Sequence, residues 1–382
     1  MKSERKNKPD NRVEVSWFAP ICNGDDEYLG SHDDKYKSNW KNASKIVKTA
    51  DKLGFNNILC PSSYQVGQDT LTFAAAVAPS LKNISLLPAI RCGEIHPPTL
   101  AKSISTLDNI LKGRLTLNMI SSNLPGTDLD SKKRYRRSRE VIQILKEFWN
   151  NDFLNFKGEF YDLKLPSDPV KTYQSGGPLM YFGGYSDDGL NLCAEFCDVY
   201  LMWPEKKESI KNQINQMKIK AKSFKRKINF GLRVHVIVRE TENEAREYAK
   251  KIISKLDLSK GEEIKNRALD ARSLGVFRQS QMIKESDSEY FVEDSLWTGI
   301  GLARSGCGAA IVGDPDQVLK KLKSYIKMGI KSFILSGYPN LKESILFAKY
   351  ILPKLDTVSF PELYKKIPQI EPSTPLCREK RK

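Results

Sequence analysis

A chain of 382 residues with 40% hydrophobic content can bury one large core or two ordinary ones. Its net charge of +16 is spread along the sequence, with small basic clusters at both tails, and no recognition-helix or base-stacking pattern accompanies it, so a nucleic-acid reader is not expected. No apolar run approaches membrane-spanning length, and the seven cysteines are scattered, with only Cys193 and Cys197 at helical spacing, so neither a membrane protein, a zinc site nor a disulfide framework is expected; a reduced, cytoplasmic protein is.

Residues 1–12 are polar and basic and read as a disordered arm. Val13–Ala19 alternates and ends at Pro20, the mark of a first strand. Ala43–Leu53 is amphipathic and stops at Gly54, as helices do. Asn57–Cys60 is a short strand, Leu71–Val77 an apolar helix, and Ile84–Ile90 a third strand. Pro97 and Pro98 suit the first turn of a helix running to Leu111. Leu115–Ile120 is a fourth strand, followed by a long helix over Lys133–Trp149.

Residues 151–178 read as an excursion of short strands and turns. Leu179–Phe182 is a fifth strand, Leu190–Phe196 a helix, Asp198–Met202 a sixth strand, and Glu205–Phe224 a basic helix. Most of Phe230–Thr241 is a seventh strand, followed by a helix over Glu242–Leu256. Lys331–Leu335 is the eighth, between helices at Asp316–Lys327 and from Leu341. Eight strand–helix alternations predict parallel sheet and fit a (β/α)8 barrel, with a doubly wound sheet as the alternative. The long, polar connection 257–305 reads as a mobile lid at about 257–300. The domain plan is therefore a barrel over 13–355 and a C-terminal extension over 356–382.

The seventh strand carries an arginine and a histidine two residues apart, so Arg233 and His235 share one face. A guanidinium on a buried strand needs an oxyanion or an ion pair. The chemistry of such barrels sits on loops after the strand C-terminal ends. Those positions hold Cys22 and Asn23, Arg91, Ser121 to Asn123, Gly183 to Ser186, Trp203, and Ser336 to Tyr338. Arg304 precedes a Gly-rich run. Guanidinium groups converging on one mouth suit a strongly anionic small molecule. Gly183-Gly184-Tyr185-Ser186 leads from a strand into a helix and offers either backbone N–H groups to a phosphate or a plain turn with an N-cap. No Walker or GxGxxG sequence, metal constellation or Ser–His–Asp arrangement is evident.

Several ordered stretches stand out: Thr106-Leu107-Asp108 through Gly113-Arg114 to Asn118, Tyr181 to Gly184, Tyr200 to Trp203, Gly231 to Thr241, Trp297 to Gly308 with Val312 to Asp314, and Ser336-Gly337-Tyr338-Pro339. In them the chain resembles the bacterial-luciferase-like flavin monooxygenases, within them the reduced-FMN-dependent alkanesulfonate monooxygenases. The resemblance runs from about Val13 to Leu355. It implies a luciferase-like TIM barrel that takes reduced FMN (FMNH2) from a separate NAD(P)H:FMN reductase. With O2 as co-substrate it would oxygenate a small organosulfonate, releasing sulfite and an aldehyde. It implies His235, Arg304, Tyr338 and Arg233 as catalytic residues and Trp203, Arg91 and Asn340 as substrate-binding ones. Tyr135, Gly184, Tyr185, Ser186 and Ser121 would bind the cofactor, and the protein would be a homo-oligomer.

Three positions depart from that family. Its histidine after Tyr-Pro is Asn340 here, Cys22-Asn23 replaces a histidine in the first loop, and its cysteine after the second strand falls near Val66-Gly67, which offers no thiol. These changes bear on the substrate more than on flavin chemistry. The alternatives are a monooxygenase of a sulfone or another small anion, a deazaflavin-dependent reductase, and a non-catalytic basic binding protein.

Overall fold

The computed structural model describes residues 11–372 except 23, 24, 32, 65, 168–170, 258, 260–272 and 305. Eight parallel strands close on themselves. They are β1 (Glu14–Phe18), β2 (Asn57–Cys60), β3 (Ser85–Arg91), β4 (Thr116–Ile120), β7 (Leu179–Gly183), β8 (Val199–Met202), β9 (Asn229–Val238) and β13 (Ile330–Ser336). Each pairs with the next, and β13 closes the ring by pairing β9 on one side and β1 on the other. The excursion after β4 is an antiparallel hairpin, β5 (Phe153–Lys157) with β6 (Asp162–Pro166). The expected barrel is the observed one; the doubly wound alternative, which leaves the sheet open, is not.

Period-two alternation sets what faces the interior. On β1, Trp17 faces out, where its ring meets Phe55 and Phe347 of the helical layer at 5.2 and 6.2 Å between centroids. Glu14 and Phe18 face in, toward Tyr181 and Arg233 respectively. The helices start and stop where the sequence places capping residues. Helix Trp40–Leu53 begins after Asn39, whose side chain caps Asn42 N, and ends at Gly54 with φ 87°, a left-handed conformation that glycine adopts without Cβ strain.

The described residues beyond 355 build the barrel's floor rather than an appendage. Val358 N donates to Val13 O, and Phe360 N to the buried Glu14 carboxylate at 3.0 Å. That carboxylate also accepts from Tyr181 Oη (2.6 Å) and Ser332 Oγ (3.2 Å). Burial raises the Glu14 pKa and these hydrogen bonds pull it back. Phe360 is fully buried and stacks on Tyr181. Residues 373–382 and the basic arm up to residue 10 lie outside the described residues.

The connection from β9 to β13 departs most from expectation. Residues 260–272, in the first half of the expected lid, lie outside the described residues. Residues 273–304 are packed structure: helix Leu274–Lys284, then an antiparallel ribbon of β10 (Phe291–Glu293) and β11 (Leu296–Trp297). The ribbon leads into β12 (Ala310–Gly313), which pairs antiparallel with β11 and parallel with β9. β8 pairs with β9 over 229–232, and β12 takes up β9 over 235–238. β9 runs ten residues, longer than its neighbour, and the extra ladder groups need a partner.

Candidate active site

The C-terminal ends of β9 and β13 lie side by side, with Ile334 opposite Arg233 and Ser336 opposite His235. Arg233 is buried at 6% exposure. It donates to Ser336 Oγ at 2.8 Å and to the Ile334 and Val234 carbonyls, and lies 4.7 Å over the Phe18 ring. Among the described residues no carboxylate pairs with it. Burial lowers its pKa to about 10, and the Arg304 charge pushes the same way. It remains a cation at neutral pH.

His235 is also buried. Its Nε2 lies 3.2 Å from the Cys307 carbonyl, which can only accept, so Nε2 carries the proton. Nδ1, 2.7 Å from Ser336 Oγ, is then the acceptor in a neutral ring. Ser336 therefore accepts from Arg233 and donates to His235. Burial, then Arg233 and Arg304, hold the imidazole pKa well below its ordinary value. His235 is thus a neutral ring with both nitrogens occupied, stacked on Tyr338 at 5.4 Å, and not the freely titrating proton carrier its type suggests.

Arg304 donates from Nη1 to the Tyr338 hydroxyl. Tyr338 is held from behind, because Tyr248 Oη donates to its carbonyl at 2.8 Å. Tyr248 is fixed in turn by Arg239, whose guanidinium lies 3.7 Å over its ring and pairs bidentately with Glu343. Gly337 has no room for a side chain, since a Cβ there would lie 2.4 Å from Glu343 Cβ.

Asn340 does not act as expected. It is 2% exposed, and its Nδ2 donates to Asp25 Oδ1 at 2.7 Å while its backbone N donates to the same carboxylate at 2.8 Å. Its Oδ1 accepts from Gly337 N. The amide ties the β13 turn to the first loop and is not presented to a substrate. Cys22 is buried near Arg91 and Arg304; burial pushes its thiol up to about 12 against both charges, so the sulfur is a neutral thiol. Asn23, its expected partner, lies outside the described residues. The segment carrying Gly67 crosses directly over Cys22, with a Cβ at Gly67 falling 2.5 Å from Cys22 Cα.

At β3 and β4, Arg91 donates to Ser122 Oγ and reaches the Asn123 carbonyl. The Ser121 hydroxyl is buried without a hydrogen-bond partner among the described residues. On the loop after β7, the strand next to β4, Ser186 caps helix Asp187–Phe196 by accepting from Gly189 N at 3.2 Å. A Cβ at Gly189 would fall 2.9 Å from the Tyr135 hydroxyl, and one at Gly184 would lie 3.5 Å from it. The missing side chains at these glycines let the Tyr135 hydroxyl pack directly against the turn. Asp187, in the first turn of that helix, is turned away to Lys220 at 2.7 Å. Tyr185 points elsewhere than the cofactor role expected of it: its hydroxyl accepts from Trp203 N at 2.8 Å and its ring packs on the Trp203 indole.

Sequence reasoning missed Ser336 as a bridge, Asp25 as an anchor, and Arg278 with Gln279 as ties. Arg278 pairs bidentately with the buried Glu205, and Gln279 spans Pro204 O and Gly308 N. Polar residues in a lid read as solvated, and no local pattern marks these two as having buried partners.

The sequence model of the family described as luciferase-like monooxygenase matches residues 13–332. The chain is 52% identical over 366 residues to a sulfoquinovose monooxygenase of Agrobacterium fabrum, covering 95% of each chain. It is 48% identical over 354 residues to a sulfoquinovose monooxygenase of Novosphingobium aromaticivorans, covering 91% of this chain and 98% of that one. Among solved structures, the fold superposes on the EDTA monooxygenase of Chelativorans with a TM-score of 0.73 at 15% identity, over 95% of this chain and 96% of that one.

Proposed function

The chain belongs to the luciferase-like monooxygenase family, and we propose that it oxygenates a sugar sulfonate of the sulfoquinovose type with reduced FMN and O2. The observation that carries the reading is Arg233, a buried cation with no carboxylate partner among the described residues, beside Arg304 and its bond to Tyr338. A sulfonate supplies the missing anion, and planar guanidinium groups hydrogen-bond its oxygens well. The relatives named for sulfoquinovose support the sulfonate.

The protein's own groups fit a phosphorylated cofactor. The Ser121 hydroxyl, unpartnered among the described residues, offers it a hydrogen bond, and Gly184, Ser186 and Tyr135 lie together at a helix N-terminus. Reduced FMN would supply two of the four electrons that O2 takes up, the substrate carbon the other two. The balance is RCH2SO3− + O2 + FMNH2 → RCHO + HSO3− + FMN + H2O: one oxygen atom goes to the aldehyde and one to water, and the carbon–sulfur bond breaks. In this scheme Arg233 and Arg304 hold the sulfonate and stabilise sulfite as it departs. Tyr338 aligns Arg304, and Trp203 walls the mouth. Neutral His235 fixes Ser336 and so the aim of Arg233, with its ring against Tyr338. A separate flavin reductase and self-association complete the expected assembly.

The test supplies FMN, a flavin reductase, NAD(P)H and a panel of sulfonates, sulfones and aminocarboxylates, and measures sulfite. Sulfite from sulfoquinovose is the expected result. Oxygenation of another class without sulfite from any sulfonate overturns the substrate. Tight binding of a deazaflavin with none of FMN overturns the cofactor.

A further inference from the structure

Trp203 follows β8, and the edge of its indole lies between two glycines on separate segments. A Cβ at Gly275 would fall 2.8 Å from Trp203 Cζ3 and 3.1 Å from two ring atoms of Tyr185. A Cβ at Gly306 would sit 3.7 Å from Cζ2 of the same indole, an ordinary contact. Gly275 lies in the first turn of helix Leu274–Lys284 and has no left-handed φ that would call for glycine. What calls for glycine there is space.

The helix cannot easily retreat. Arg278 holds Glu205 at 2.7 and 2.5 Å, and its guanidinium lies over the Tyr185 ring. Gln279, 5% exposed, donates to Pro204 O and accepts from Gly308 N, both at 3.0 Å. One amide thus joins the segment after Trp203 to the segment after Arg304. Tyr185 cannot yield either, because its hydroxyl is bonded to Trp203 N. The half-buried indole is the group left to move. An added methyl at 275 drives it away from the helix and toward the segment that carries Gly306 and Arg304.

We propose that Gly275 is a specificity-determining position: by letting helix Leu274–Lys284 lie directly against Trp203, it keeps the opening between Trp203 and Arg304 wide enough for a bulky head group. Arg278 and Gln279 are positioning residues in the same device. The proposal rests on the sulfonate reading above.

The experiment compares kcat/KM for sulfoquinovose and for ethanesulfonate in the wild type, Gly275→Ala, Trp203→Phe and the double variant. Gly275→Ala is expected to lower the sulfoquinovose-to-ethanesulfonate ratio about tenfold. In the Trp203→Phe background, where the smaller ring leaves room for the methyl, the same change should move it less than about twofold. Equal loss on both substrates, or the same factor in both backgrounds, overturns the proposal. If Gly275→Ala alone fails to fold, a double variant that folds with wild-type stability assigns the clash to Trp203, and a double variant that also fails overturns it. If the wild type releases no sulfite from either substrate, the sulfonate reading falls. The device is then read from tryptophan fluorescence: Gly275→Ala should change the wild-type emission and leave that of Trp203→Phe unchanged, and no change in either overturns it.

Discussion

The Asp25 carboxylate accepts hydrogen bonds from both the backbone and the side-chain amide of Asn340, 315 residues along the chain. It ties the loop after β1 to the turn after β13, two residues from Tyr338. Burial raises its pKa to about 8; the Asn340 bonds oppose this, and Asp26 and Glu343 add to it.

The pH dependence follows. A carboxyl whose pKa rises on folding binds more protons in the folded chain than in the unfolded one between the two values. Its contribution is therefore favourable at low pH, and stability falls as pH climbs from about 4 toward about 8. Urea melts from pH 5 to pH 8.5 should show the wild type losing about 2 kcal/mol or more that Asp25→Asn does not lose. Parallel pH profiles for the two proteins would show that Asp25 does not titrate in this range.

Ser336→Ala leaves the Arg233 Nη2 donor and the His235 Nδ1 acceptor without their shared partner. Leaving buried polar groups unpaired costs about 1–3 kcal/mol, so the urea midpoint should drop accordingly. Ser336→Thr keeps the hydroxyl and should recover part of the loss. A variant as stable as the wild type would place the Arg233–Ser336–His235 chain outside the folded protein's stabilising interactions.

Arg304→Ala and Tyr338→Phe test one pair. Loss of a charge-assisted hydrogen bond to a bound anion lowers kcat/KM by about 10- to 100-fold. The melting temperature should move little by comparison. Arg304→Ala should be the more severe, because it removes the charge while Tyr338→Phe removes only its alignment. Equal sulfite release by both variants and the wild type would place substrate elsewhere.

Phe360→Ala probes the floor. Its ring is fully buried on Tyr181, next to the backbone N–H that reaches Glu14. Truncating a buried phenylalanine costs about 3–5 kcal/mol. Ending the chain at residue 355 should cost at least as much, since it also removes the Phe360 N–H from Glu14. A truncated protein that melts with the wild type would mean the barrel closes without those residues.

The barrel was legible because its signals are local. Alternation over five to ten residues, capping residues such as Asn39 and Gly54, and the spacing of eight such units need no knowledge of what packs against what. The shared face of Arg233 and His235 was legible for the same reason, since a strand fixes it by period two. β12 was not: Ala310–Gly313 is short, and it is a strand because β9 outruns β8 and offers it an edge. The described part of the expected lid likewise became ordered through buried partners, Glu205 for Arg278 and Gly308 for Gln279.

At the site, the sequence supplied residue types and left their partners open. Asn340 looked like a substrate contact until Asp25 was found against it, and His235 like a catalytic group until Ser336 and Cys307 occupied its nitrogens. Charge state and hydrogen-bond availability depend on burial and on groups 72 to 315 residues away in sequence, and only closing the barrel brings those groups together. The strand–helix alternation thus determined the barrel and the ring of loops where chemistry could sit. The tertiary packing decided which of those polar groups remain for a ligand and which are used up in holding the site.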